Sequence, residues 1–261
     1  MKQLPILISN RLIRLTGNLF KILSYPFHWV LPNVRFDIPS YSPAKVKRSN
    51  EGSIPRVIWQ TNFTNKCTLP MYLNYLFNRL MSLNCDYRYV STEERDVYLK
   101  EHASPEIYDA YSRLTNGAAQ ADLWRLFVLY KEGGVYMDID ATLVWPLDKI
   151  IATEEDALYV KVSKNTEITN YFIASKSDNE ELKQCVDKVV FNINNYDPKK
   201  GVYQTTGPTV LNDVLNCNTI HAIDRKFACI QGAFTNEHFQ YMDKPRGKWT
   251  HMDKTTLVKK K

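Results

Sequence analysis

Residues 116–148 read NGAAQADLWRLFVLYKEGGVYMDIDATLVWPLD, and the rest of the chain is arranged around this stretch. Asn116 has the side-chain oxygen that caps a helix by accepting a free backbone N–H. The residues from Gly117 on are good helix formers, and Trp124, Leu126, Phe127, Val128, Leu129 and Tyr130 leave almost no polar face. A helix apolar all round belongs in a protein interior. Gly133 and Gly134 end it, because glycine adopts positive φ at a helix terminus without steric cost. Val135 to Asp140 then alternates with period two. That predicts a buried strand whose end presents Asp138 and Asp140 on one side.

Two carboxylates side by side repel each other and raise a pKa. A divalent cation removes the conflict, and hard oxygen ligands suit Mg2+ or Mn2+. Asp122 and Arg125 lie three residues apart on one face of the buried helix. They read as a structural ion pair or as a polar grip on a ligand. A DxD alone is common by chance and is usually a solvated loop.

The ordered combination is far more specific. AxxADxxRxxxLYxxGGVYxDxD, followed by Pro146-Leu147-Asp148, resembles the DXD-containing sugar-transferase family, glycosyltransferase family 32. It is also similar to the catalytic domains of the large clostridial glucosylating toxins. The resemblance implies a GT-A-type α/β fold, a Rossmann-like mixed sheet flanked by helices. It implies transfer of a sugar from a nucleotide-diphosphate donor to a hydroxyl, with retention at the anomeric carbon. Asp122, Arg125, Asp138 and Asp140 would be catalytic. Asp138 and Asp140 would hold Mn2+ or Mg2+, Asp122 would accept from donor hydroxyls, and Arg125 would donate to sugar or diphosphate. Tyr136 would pack beneath the donor. UDP-sugars are placed ahead of GDP-sugars.

Three further positions follow from the same resemblance. The strand Ile54-Pro55-Arg56-Val57-Ile58-Trp59-Gln60 would end at the nucleotide base, so Trp59 or Gln60 would touch it; Trp59 reads equally well as core. Thr206-Gly207-Pro208 would lie near the cleft, or simply start a helix. A C-terminal histidine would complete the metal shell, with His251 first and His238 second. Trp249 precedes His251 here, which departs from the family's order.

Composition sets the outer limits. The 261 residues, 44% hydrophobic and 12% aromatic, suffice for one large domain with a real core. A net charge of +6 suits anionic lipid or phosphate and is too small to argue for nucleic acid. Five cysteines without a CxxC fit free thiols in a reducing compartment and offer no zinc site. No GxGxxG or GxxxxGK[ST] occurs, so phosphates would be held by metal and side chains.

Residues 1–36 contain Lys2, Arg11, Arg14, Lys21 and Arg35 and no acidic residue. Ile8, Leu12, Leu15, Leu19, Ile22 and Leu23 recur at helical spacing, and charges interrupt every apolar run before it could span a bilayer. The segment is expected to lie in an anionic membrane interface, or else to pack on the catalytic domain or a partner. Residues 37–53 read as a linker, 54–255 as the catalytic domain and 256–261 as a basic tail.

Helices are expected over 70–84, with the stripe Leu73, Leu76, Phe77, Leu80 and Leu83 inward, and over 92–102, 105–114, 179–194 and 208–215. Strands are expected over 86–90, 157–162, 168–175 and 221–230. The reading is a peripheral transferase on the cytoplasmic face of the inner membrane, acting on a glycan or lipid-linked glycan in capsule or lipopolysaccharide synthesis. The alternatives are a toxin-like effector that glycosylates a host protein and a catalytically silent membrane-associated binding protein.

Overall fold

A computed structural model describes residues 3–46, 52–152, 156–162, 167–215, 220–244, 247, 250 and 253–259. Its centre is a seven-stranded mixed sheet in the order β10-β8-β9-β6-β3-β5-β2. These strands are β2 (Tyr41–Ser42), β3 (Val57–Thr61), β5 (Asp86–Val90), β6 (Gly134–Met137), β8 (Ala157–Lys161), β9 (Ile168–Ser175) and β10 (Ala222–Asp224). β3 pairs in parallel with β5 and β6, whereas β9 runs antiparallel to β6 and β8. Two small antiparallel pairs complete the β structure: β1 (Phe36–Asp37) with β4 (Lys66–Cys67), and β7 (Ala141–Leu143) with β11 (Cys229–Gln231).

Helices cover both faces. They are α1 (Gln3–Val30), α2 (Leu69–Leu80), α3 (Thr92–His102), α4 (Pro105–Arg113), α5 (Gly117–Glu132), α6 (Leu147–Ile150), α7 (Glu180–Asn194), α8 (Val202–Thr205), α9 (Pro208–Val214) and α10 (Glu237–Gln240). α5 is the interior helix the sequence predicts, with ten consecutive or near-consecutive buried positions from Ala119 to Leu129. Asn116 Oδ1 accepts from the Ala118 and Ala119 amides, and Gly133 closes the helix at φ 67°. One core lies between the sheet and α5, α7 and α9; the other lies between the sheet, α2 and α6.

Three expectations change. Residues 37–46, read within the linker, pair into sheets: β2 is the edge strand of the main sheet. The single strand foreseen over 221–230 is two, β10 and β11, in different sheets and separated by a 3-10 turn. On α2 the inward face carries Met71, Asn74, Tyr75, Asn78 and Arg79, while Leu76, Leu80 and Leu83 are exposed. The physical reason is backbone satisfaction. Asn74 Nδ2 donates to Ile139 O and Ala141 O, Asn78 Nδ2 donates to Ala141 O, and Asn78 Oδ1 accepts from Leu143 N. Leaving those buried carbonyls and amides bare would cost more than exposing leucines.

α1 docks along one side of this domain. Ser9 Oγ donates to Val144 O, Asn10 Nδ2 to Lys226 O and Lys21 Nζ to Gly232 O. At Gly17 the backbones nearly touch, since a Cβ there would sit 2.4 Å from Ala233 O.

Candidate active site

β6 stops at Met137, and the chain turns before β7, with Ala141 N donating to Asp138 O. Asp138 and Asp140 therefore sit in a turn and not along a strand, a correction to the alternating strand end. They still converge. Gln231 Nε2 lies 3.4 Å from Asp138 Oδ2 and 3.2 Å from Asp140 Oδ1. Besides Asn74, which donates to Ile139 O, three further hydrogen bonds fix the turn. Gln60 Nε2 donates to Asp138 O, Asp138 N donates to Tyr171 O, and Gly232 N donates to Asp140 O.

Asp122 and Arg125 reach the same place from α5. Arg125 NH2 pairs with Asp122 Oδ1 at 3.0 Å, and its NH1 pairs with Asp138 Oδ1 at 3.1 Å. Arg125 also donates to Asn170 O and Ala121 O, and its guanidinium stacks 4.4 Å above the Tyr136 ring. Tyr136 Oη donates to Asp138 Oδ1 at 2.7 Å. Asp122 takes two more hydrogen bonds, from Asn170 Nδ2 and Thr206 Oγ1.

The electrostatics follow from burial. Desolvation pushes Asp122 up to about 6, against the opposing pull of Arg125 and the Thr206 hydrogen bond. Desolvation and the Asp138 charge push Asp140 up to about 6, against hydrogen bonds from Gln231 and Gln240. Burial works against the Arg125 charge, but Asp138, Tyr136 and Asp122 outweigh it and raise its pKa. The site thus holds two carboxylates whose charge burial opposes, and it is rich in oxygen ligands.

A cleft of about 940 Å³ opens above these groups. Asp122, Arg125, Tyr136, Asp138, Asp140 and Gly207 line it. Thr206 lies behind the wall, buried, and orients Asp122. Trp59 and Gln60 do not line the cleft. Trp59 Nε1 donates to Gly133 O and the indole packs edge-on against Trp124, which makes it core. Gln60 Oε1 accepts from Tyr87 Oη in the interior. The next residues of that segment, Thr61, Asn62 and Phe63, do line the cleft. His238 stacks on Tyr25 of α1 and faces a different, smaller cavity. His251 lies outside the described residues.

The donor set fits a hard divalent cation. Two carboxylates converge where an amide N–H, a weakly positive group, bridges them, and burial together with the Asp138 charge raises Asp140. Among the described residues no cluster of three His, Cys, Asp or Glu forms. Mg2+ characteristically uses one or two carboxylates and completes its shell with water and substrate phosphate.

Sequence reasoning missed Gln231, Gln240, Asn170 and Arg95. Arg95 is 2% exposed and lines the cleft, and among the described residues its Nε has no hydrogen-bond partner. None of these residues sits in a local pattern that marks it.

Fold and site together define a GT-A-type α/β domain carrying a DXD centre. Residues 70–158 match the family model described as glycosyltransferase sugar-binding region containing DXD motif. Over 143 residues, 50% of this chain and 37% of the relative, it is 28% identical to the initiation-specific alpha-1,6-mannosyltransferase of Candida albicans. Over 171 residues, 64% of this chain and 46% of the relative, it is 27% identical to inositol phosphoceramide mannosyltransferase 3 of Schizosaccharomyces pombe. The chain thus spans less than half the length of these relatives. Among solved structures, PaToxG glycosyltransferase superposes with a TM-score of 0.50 at 15% identity, over 81% of this chain and 80% of that one. That likeness concerns the fold.

Proposed function

We propose that the protein is a divalent-cation-dependent, retaining glycosyltransferase that moves a sugar from a nucleotide-diphosphate donor to a hydroxyl of a glycan or lipid-linked glycan. The observation that carries the reading is the convergence of Asp138, Asp140, Asp122 and Arg125 on the floor of one cleft. The names of both curated relatives make a mannosyl group the first sugar to test. The phosphoceramide in one of those names supports a lipid-borne acceptor. Assembly of a surface glycan is the setting that the sequence resemblance suggests.

Asp138 and Asp140 would hold Mn2+ or Mg2+, which supplies neutralising charge to a departing diphosphate. Arg125 adds a fixed positive charge beside the donor, its N–H groups largely committed to Asp122, Asp138, Asn170 and Ala121, so it would stabilise sugar or diphosphate oxygens mainly by its field. Asp122 has both oxygens committed to Arg125, Asn170 and Thr206, so it is a poor nucleophile. That supports a front-face route. The bond from the anomeric carbon to diphosphate breaks, the bond to the acceptor oxygen forms, and the acceptor proton passes to the leaving diphosphate. Preorganised charge then contributes most of the acceleration.

The test is release of nucleoside diphosphate with Mn2+ across a panel of UDP- and GDP-linked sugars, with Asp140→Asn as control. Turnover of at least one donor, lost in the variant, is expected. No turnover with any donor would leave a silent binding protein as the better reading.

A further inference from the structure

The surface of α1 is inverted relative to an ordinary surface helix. Its docked side carries Ile6, Asn10, Ile13, Gly17, Ser24 and His28, four of which are polar or glycine. The opposite side carries Leu4, Ile8, Leu12, Leu15, Leu19, Ile22 and Trp29, spaced to form one stripe down the helix. All of these are exposed; Leu15 is 67% exposed, Ile22 65% and Trp29 84%. A contiguous apolar stripe of this length on a soluble face marks a docking surface.

Helical spacing puts Arg11 and Arg14 along one edge of the stripe, and both are exposed. Among the described residues neither pairs with a carboxylate; Arg14 Nε donates only to Asn10 Oδ1. No helix among the described residues is long and apolar enough to cross a membrane. On the next helix, Leu73 and Phe77 of α2 pack into the α1 cluster, while Leu76 and Leu80 of α2 are exposed as well. The inner edge of α1 reaches the cleft, which Lys21 lines.

We propose that the outer face of α1 lies on an anionic lipid bilayer and presents the cleft to acceptors carried in that bilayer. Apolar side chains enter the boundary between headgroups and acyl chains, and the flanking arginines meet lipid phosphate. Charge complementarity favours lipid over a second copy of the chain, because a second copy would bring the same cations edge to edge. The docking is independent of the chemistry in the cleft; only the delivery of acceptor rests on the transferase reading.

The test is flotation of the full chain with vesicles of phosphatidylcholine alone and of equal parts phosphatidylcholine and phosphatidylglycerol. Wild type is expected to float with the anionic vesicles, and a Leu12→Ser, Leu15→Ser, Leu19→Ser variant is expected to bind about ten-fold less. These side chains project away from the domain, so the variant should melt with wild type; if it does not, Leu15→Asp alone carries the test. Brominated lipid is expected to quench fluorescence in wild type more than in Trp29→Phe. Equal flotation of wild type and variant would overturn the proposal. So would a dimer, measured by light scattering, that ignores vesicles and becomes a monomer in the variant. Flotation needs no donor, so its failure is distinct from failure of the transferase reading.

Discussion

Arg125 NH1 lies 3.1 Å from Asp138 Oδ1, joining the interior helix directly to the turn that carries the paired aspartates. The same guanidinium holds Asp122 with NH2 and rests on Tyr136. One side chain therefore sets the position of two carboxylates and a ring. Arg125→Lys keeps the charge but loses the planar fork. Donor turnover should fall about 100-fold with a smaller change in donor KM. Arg125→Ala leaves Asp122 buried without its counter-charge and should cost about 3–5 kcal/mol in denaturant unfolding.

Asp140→Ala should abolish the calorimetric signal of Mn2+ with nucleoside diphosphate. Its melting temperature without cation should equal or exceed that of wild type, because burial and Asp138 disfavour the charge that the substitution removes. A variant that melts well below wild type would make Asp140 architectural.

The two raised carboxylates fix the sign of a pH dependence. Asp122 and Asp140 are each pushed up to about 6 in the folded chain. Between their ordinary carboxylate values and about 6, the folded state holds more protons than the unfolded one. Cation-free stability contributed by these groups is therefore greatest at acid pH and declines as pH rises through that window. Cation affinity runs the other way and weakens below about 6. Thermal melts with and without Mn2+ should show a larger cation-induced gain at about pH 7.5 than at about pH 5.

Asn78 holds β7 by bonds to Ala141 O and Leu143 N and is fully buried. Asn78→Ala should destabilise the fold by about 1–3 kcal/mol. It should also weaken Mn2+ binding, because β7, which follows the turn directly, loses two of its anchors. Asn78→Leu, which fills the space without either hydrogen bond, should fail to restore binding in calorimetry.

The legible parts of the sequence were those written locally. Asn116, the apolar run behind it and the Gly133-Gly134 stop belong to one helix and its ends, so neighbouring residues state the outcome. Asp122 and Arg125 were legible because three-residue spacing puts them on one helical face. Gln231 was not, since it reaches Asp140 across 91 positions through the pairing of β11 with β7. The leucine stripe of residues 70–84 draws attention away from Asn74 and Asn78, yet these form the inner side, because what they meet is backbone carbonyls and an amide in need of partners. Trp59 reads from sequence equally as core or as base contact, and the Gly133 carbonyl, a distant partner in the chain, takes its indole N–H and holds it in the core.

Gly17 brings the backbone of the first helix against Ala233, two positions from Gln231. Backbone meets backbone at that point, so any side chain added at position 17 would wedge the helix off the segment that leads to the lip of the cleft.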